Sequence, residues 1–243
     1  MSVFPYPFAD GAWHTIGKLR AWEALLLEER KADEDFSSDV LRAKGAHCSE
    51  KSRRNKELAP LDLFAMHKNV RDDALFRVMP EGHSTDVELR VNVETLKLQF
   101  TVAFPCWIEG ESQGHQSALK NEALELLGGV PSAAHFYRSK GGQRVEYEGG
   151  YVTDKERLRA CRQGLEMAIK KKAKFAGNGL TLVVYAQLYR PHITSPREFV
   201  NNARLAIEKV NFPPFDRVCF LENGDGWFAE FLPSDFLPDG SYM

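Results

Sequence analysis

Residues 180–186, Leu-Thr-Leu-Val-Val-Tyr-Ala, form the most uniformly apolar segment of the chain, with Thr181 as its only polar residue. A strand with one solvated face alternates apolar and polar side chains, whereas a strand covered on both faces is apolar throughout. The segment therefore predicts the central strand of a sheet that carries helices on both faces.

A helix is predicted before this strand. Thr153 and Glu156 have the spacing of a capping box, in which each side chain binds a backbone N–H group of the first turn. The apolar stripe of the helix consists of Leu158, Cys161, Leu165 and Ile169. Gly177 and Gly179 follow, and glycines at such positions favour the end of a helix.

A second helix and a second strand are predicted after it. Ser195, Pro196 and Glu198 have the order of an N-cap, a first-turn proline and an N3 glutamate. The next apolar run, Arg217–Leu221, predicts a strand. Because strand-helix-strand units join parallel strands, we expect Leu180–Ala186 to lie parallel to Arg217–Leu221.

An antiparallel hairpin is predicted upstream. Asp86–Val91 and Lys97–Val102 both alternate polar and apolar residues, and a short link, residues 92–95, joins them. A second hairpin is predicted from His135–Tyr137 and Val145–Tyr147. The predicted fold class is α/β: a mixed β-sheet in which an antiparallel hairpin is followed by strand-helix-strand units, with helices on both faces.

The N-terminal quarter of the chain differs from the rest. Lys18–Phe36 has apolar residues at helical spacing, and Ser37–Ala59 is rich in lysine and arginine without an apolar period. We therefore predict an N-terminal helix with a mobile basic arm over residues 1–60 and an α/β domain over residues 61–243. The arm is either a solvated loop or a segment that touches phosphates.

The composition excludes several classes of protein. The 243 residues hold 32 Lys and Arg against 34 Asp and Glu, so the whole molecule has no strong field of one sign. We expect neither a secretory leader nor a membrane span, because no apolar run reaches ~18 residues. The four cysteines form no C-x-x-C pair: Cys48, Cys106, Cys161 and Cys219. These features predict a cytoplasmic protein with reduced, packed thiols and no membrane contact.

The common catalytic motifs are missing from the sequence. It contains no G-x-x-x-x-G-K-[ST], no G-x-G-x-x-G after a strand, no G-x-S-x-G and no H-E-x-x-H. The seven histidines include no pair at i and i+4, the spacing at which a helix presents two metal ligands. The best-known signatures of nucleotide binding, serine hydrolysis and zinc hydrolysis are therefore excluded.

The hairpin carries the one polar constellation that indicates chemistry. Side chains two residues apart on a strand share a face. The polar residues fall on two such faces: Asp86, Glu88 and Arg90 on the first strand, and Lys97, Gln99 and Thr101 on the second. If these faces coincide, they combine carboxylates, an amide and cations in the way that a Mg²⁺-dependent phosphodiester site requires. A hairpin with one solvated face has the same pattern.

The order of elements resembles the restriction-endonuclease-like superfamily. Its members have a helix, a meander of strands, a helix and a parallel strand, with an Asp on one strand and an acid-x-Lys on the next. Thr85-Asp86-Val87 resembles the Asp-bearing strand, and Leu98–Thr101 stands where the acid-x-Lys would be, over a likeness of roughly residues 84–221. The resemblance implies Asp86 and Gln99 as ligands of Mg²⁺, with Glu88, Lys97 and Thr101 completing the catalytic set.

This sequence departs from the superfamily pattern at two positions. Gln99 replaces the acid and Thr101 replaces the lysine, so one negative charge and the catalytic cation are missing. Glu88 and Lys97 could substitute for them from the same faces. We therefore expect a nuclease-like protein whose site is remodelled or inactive.

A basic helix is the predicted contact for nucleic acid. Residues 154–174 hold eight Lys and Arg against three Asp and Glu, a local charge of +5. We expect phosphate contacts from this set: Arg159, Arg162, Lys170, Lys171 and Lys172. A solvated helix face has the same composition.

The alternative function is a non-catalytic protein-interaction module. For such a module we expect an exposed apolar patch that includes Trp107 or Trp227.

Overall fold

The fold is given by a computed structural model. It describes residues 8, 11–32, 57–80, 82–106, 135–138, 145–148, 153–175, 177, 179–186, 195–211, 213–222 and 226–236. The predicted basic arm lies outside the described residues as far as residue 56, and Trp107 and Cys48 lie outside them too.

Nine strands, four α-helices and a 3₁₀-helix occupy the described part of the chain. In order, they are β1 His14–Thr15, α1 Ile16–Ala32, α2 Ala59–His67, β2 Leu75–Val78, β3 Val87–Val91, β4 Glu94–Ala103, β5 His135–Arg138, β6 Val145–Glu148, α3 Asp154–Ala173, β7 Leu180–Ala186, α4 Pro196–Val210, β8 Arg217–Glu222, β9 Phe228–Phe231 and the 3₁₀-helix Pro233–Phe236. No described helix is long and apolar enough to cross a membrane.

The main sheet has seven strands in the order β1-β2-β3-β4-β7-β8-β9. Strands β1 to β4 form an antiparallel meander, β4, β7 and β8 are parallel, and β9 returns antiparallel to β8. The separate hairpin of β5 and β6 is also antiparallel. The predicted α/β class with a mixed sheet is confirmed.

Strand β7 is central, as its apolar sequence predicted. It lies between β4 and β8, parallel to both, and all seven of its residues are buried. Leu182 and Val184 pack into the core under α3 and α4, while Val183 and Tyr185 pack into the core under α1 and α2. Helices therefore cover both faces of the sheet at this strand.

Local capping residues set the helix boundaries. The Ser195 side chain accepts a hydrogen bond from the Glu198 N–H at 3.2 Å, and Pro196 begins α4, as predicted. At the other end, Asn211 closes α4 in the left-handed region, with φ 56°. Asn and Gly are the residues that reach this region at least cost, so the sequence encodes both ends of α4.

The meander is longer than the sequence indicated. The sequence predicts no strand at β1 or β2, but both are present. The link between β3 and β4 is a turn of two residues, whereas the sequence predicted a link of four residues. Asn92 makes this turn possible because it adopts a positive φ of 55°. The tighter turn adds Glu94 and its neighbours to β4, which becomes the longest strand described.

Charged groups fasten α1 and α2 to the sheet. Arg20 on α1 donates to Asp62 on α2 at 3.3 Å and also contacts Asp72 before β2. Burial raises the pKa of Asp62, and the neighbouring guanidinium opposes that rise. At the opposite edge of the sheet, Glu230 on β9 binds Lys68, which follows α2. These pairs hold the helical layer in register with the strands.

Helix α3 meets the sheet most closely at Gly164. A Cβ atom at this position would lie 1.9 Å from the carbonyl oxygen of Phe104, just after β4. Real Cβ atoms do not approach backbone oxygen so closely, and a backbone atom cannot rotate away. The absence of a side chain at Gly164 therefore sets the distance between α3 and β4.

We predict that Gly164→Ala destabilises the protein by about 1–3 kcal/mol, the range for overpacking of a core. In an ordinary helix the same change stabilises by ~1 kcal/mol. The matched control is Gly17→Ala in α1, where the added Cβ would lie 3.1 Å from the Asp72 Cβ and 3.3 Å from its backbone oxygen. A shift of a few tenths of an ångström relieves these contacts, so the control destabilises less than Gly164→Ala. Guanidinium denaturation measures both free energies of unfolding, and a Gly164→Ala protein as stable as the parent contradicts the close contact.

The described cysteines are packed thiols. Cys106, Cys161 and Cys219 are buried thiols outside any disulfide, as the sequence predicted. Burial raises the pKa of Cys161 and of Cys219 to about 12 from 9.0. Since the thiolate is the reactive form, both side chains are protected chemically as well as sterically.

We predict that Cys161 and Cys219 resist alkylation at pH 8.5 while the protein is folded. In a variant with Cys48 and Cys106 changed to Ser, iodoacetamide adds no label to native protein within an hour and labels both thiols in guanidinium. Intact-protein mass spectrometry counts the labels. Rapid labelling of the native variant contradicts the burial of these two cysteines.

Candidate functional site

The two polar faces of the predicted hairpin coincide. Glu88 on β3 lies directly opposite Lys97 on β4, and Val87 lies opposite Leu98. Directly opposed residues of an antiparallel pair project to the same side. The residues that the sequence singled out therefore share the side of the sheet that carries α3, as alternation predicted.

Asp86 stands just before β3 and joins three elements. One oxygen of its carboxylate, Oδ2, accepts a hydrogen bond from the Phe100 N–H of β4 at 2.7 Å. The same oxygen accepts from the Lys172 Nζ of α3 at 3.2 Å. Side-chain exposure is 19% for Asp86 and 16% for Lys172, so the ion pair is largely shielded from water.

One lysine of the predicted nucleic-acid set, Lys172, points inward. Lys170 and Lys171 are exposed on α3, but Lys172 points at the sheet. It follows Leu165 by seven residues, which is two helical turns, and so continues the apolar stripe. The seven-residue spacing from Leu165 is a signal for this inward direction. Three consecutive lysines, however, suggest a single solvated cluster.

The arginines of the predicted set lie elsewhere on α3. Arg159 precedes Lys170 by eleven residues, about 16 Å along a helix axis. With Arg162, it lines a groove between α3 and α4, and the Arg162 Nε is 3.7 Å from the Glu166 Oε1. The predicted contact set therefore divides into an inward lysine, an exposed helix end and a separate groove.

Gln99 and Thr101 lie inside the protein. Gln99 is 1% exposed and Thr101 is buried, opposite Leu182 and Val184 of the central strand. The Gln99 Oε1 has no hydrogen-bond partner among the described residues. An unpaired buried oxygen costs ~1–3 kcal/mol, so this amide is a local weakness in the core.

Glu88 is held by arginine. The Arg77 side chain donates to the Glu88 Oε2 through Nε at 2.8 Å and Nη2 at 2.6 Å. Trp13 stacks with the guanidinium groups of Arg77 and Arg90, at 4.7 Å and 4.3 Å from the ring centre. Glu88 therefore belongs to a surface ladder on β2 and β3, and its carboxylate is already neutralised.

The donor set does not fit a resident Mg²⁺ ion. Mg²⁺ binds hard oxygens and is held by one or two carboxylates in octahedral geometry. Glu88 is bound by Arg77, Gln99 is neutral, and the ammonium of Lys172 lies against Asp86. Across the described residues, no group of three His, Cys, Asp or Glu could hold a metal.

A basic surface adjoins this buried pair. It consists of four lysines: Lys97 on β4, and Lys170, Lys171 and Lys174 around the end of α3. Lys97 pairs with Leu180, where β7 begins after α3. None of the four forms a salt bridge with a described carboxylate. These four lysines, which we call the helix-end basic surface, therefore have no described ion-pair partner.

We predict that Lys172→Met destabilises the protein by about 1–3 kcal/mol, because it leaves the shielded Asp86 carboxylate with fewer donors. Lys170→Met and Lys171→Met are the matched controls, since they remove exposed lysines from the same turn. Each control changes the free energy of unfolding by less than about 0.5 kcal/mol. Three equal changes in urea denaturation would contradict the inward placement of Lys172.

Comparisons with known proteins add no relative. No family model, no curated protein and no solved structure matches the chain. What the chain does must therefore follow from the contacts and charges of its own residues.

Proposed function

We propose that this protein binds nucleic acid through its phosphates and does not cleave it. The observation that carries the proposal is the Lys172 ammonium against Asp86, beside lysines that have no acidic partner. The proposal thus combines a basic surface with carboxylates that are already bound by cations.

The loss of cleavage chemistry follows from three contacts. Hydrolysis of a phosphodiester by Mg²⁺ needs anionic oxygens that concentrate the ion. Lys172 binds Asp86, Arg77 binds Glu88, and Gln99 offers only an uncharged and buried amide. The Asp86 and Glu88 carboxylates are therefore neutralised by cations, and the Gln99 oxygen is uncharged and inaccessible.

Phosphate binding is supported by the segregation of charge. The whole chain has a formal net charge of −2, yet the helix-end basic surface holds four lysines with no described acidic partner. Lysines that neutralise phosphates release condensed counterions, which is the main source of sequence-independent affinity. The lysines at the C-terminal end of α3 are therefore the expected contact.

Protein docking has less support among the described residues. Trp227 is partly buried and packs near Phe199, with ring centres 6.2 Å apart. The large apolar side chains that are exposed lie on separate elements or turns: Leu25, Met66, Val93, Val200 and Leu232. The protein-interaction function therefore stays a prediction.

We predict a steep salt dependence of nucleic-acid binding that depends on the helix-end basic surface. Fluorescence polarisation with single-stranded and double-stranded oligonucleotides gives the slope of log K against log salt. Changing Lys170, Lys171 and Lys174 together to Ala reduces that slope by about 2–3 if all three contact phosphates. A control that changes Lys18, Arg71 and Arg197 to Ala removes the same charge elsewhere and leaves the slope nearly unchanged.

Two results contradict the proposal. The first is an affinity that does not depend on salt, or one that both triple variants reduce equally. The second is cleavage of the oligonucleotides in Mg²⁺ or Mn²⁺ that Asp86→Asn abolishes, which would show a working metal site. Circular dichroism of each variant confirms that the fold is retained.

A further inference from the structure

A polar groove between α3 and α4 is separate from the helix-end basic surface. Its volume is about 450 Å³, within the range of small-molecule sites. Charged and amide side chains of both helices line it: Arg159, Arg162, Gln163, Glu166, Glu208 and Lys209. The groove thus combines cations with hydrogen-bond acceptors.

The cations of the groove have capacity for an anion. Arg159 and Lys209 form no salt bridge with a described residue. Arg162 contacts Glu166 only through Nε at 3.7 Å, which leaves its terminal nitrogens available. Two guanidinium groups and an ammonium suit a phosphate, which accepts paired hydrogen bonds and carries up to two charges.

The acceptors of the groove need donors from a ligand. The Glu208 side chain is exposed at the groove and its carboxylate forms no described salt bridge. Inorganic phosphate has one or two O–H donors at neutral pH, and the arginines hold the ion that carries them. A ligand whose donors lie away from its phosphate can bind the arginines and the Glu208 carboxylate together.

We infer that this groove binds a small phosphorylated molecule with hydroxyl or amino donors, of the class of a nucleoside monophosphate. The phosphate contacts Arg159 and Arg162, the donors reach Glu208, and Leu205 offers an apolar contact to the base. This site is independent of the proposed nucleic-acid surface, because it uses other residues and needs no polymer.

Calorimetric titration of the full chain tests the inference. We expect saturable binding of at least one of AMP, GMP, CMP and UMP with Kd below ~1 mM, and at least about tenfold weaker binding of inorganic phosphate. Ribose 5-phosphate separates the contribution of the sugar from that of the base. Changing Arg159 and Arg162 together to Ala raises Kd about tenfold or more.

Two further variants separate a ligand contact from a structural effect. Glu208→Ala removes an exposed carboxylate, so it leaves stability nearly unchanged while it lowers the preference for a mononucleotide over inorganic phosphate. Lys155→Ala with Arg197→Ala is the charge-matched control on α3 and α4 and leaves mononucleotide Kd unchanged. Mononucleotide binding that is lost in the Arg159 and Arg162 variant, with oligonucleotide binding retained, supports two distinct sites.

The inference is overturned by any of three results. These are no saturable binding of any mononucleotide, inorganic phosphate binding as tightly as the mononucleotides, and equal mononucleotide affinity in the Arg159 and Arg162 variant. If only oligonucleotides bind, the proposed function stands and the groove site fails.

Discussion

Burial of β7 on both faces is the constraint on which the rest of the structure depends. Leu182 and Val184 need one helical layer, and Val183 and Tyr185 need the other. Parallel pairing with β4 and β8 then requires α3 and α4 as crossovers. Because α3 must cross at this place, its last turn reaches the start of β3, where Asp86 stands.

The ion pair of Asp86 and Lys172 connects this architecture to function. Its lysine comes from the end of the apolar stripe of α3, and its carboxylate already receives a hydrogen bond from β4. The pair strengthens the packing of three elements, but it also satisfies the oxygen that a metal ion would need. The neighbouring lysines on α3 stay exposed and form no described ion pair, and the phosphate binding proposed above rests on this contrast.

Sequence reasoning succeeds here where a local pattern has a single physical cause. The burial of Leu180–Ala186 and the cap at Ser195 are each determined by residues that are adjacent in the sequence. β2 escapes such reasoning because four residues give too short an alternation, and β1 has only two. The contact between Asp86 and Lys172 joins residues 86 positions apart, and alternation in β4 does not say which helix buries Gln99. Such features depend on the assembled fold.

The short edge strand β1 has a consequence for the behaviour of the protein in concentrated solution. Its two residues offer few unpaired backbone groups to the strand of another molecule. The guanidinium group of Arg90, stacked on Trp13 beside it, adds positive charge that repels an identical edge. The described part of this edge therefore offers another molecule little to pair with, and edge-to-edge growth of the sheet is disfavoured there.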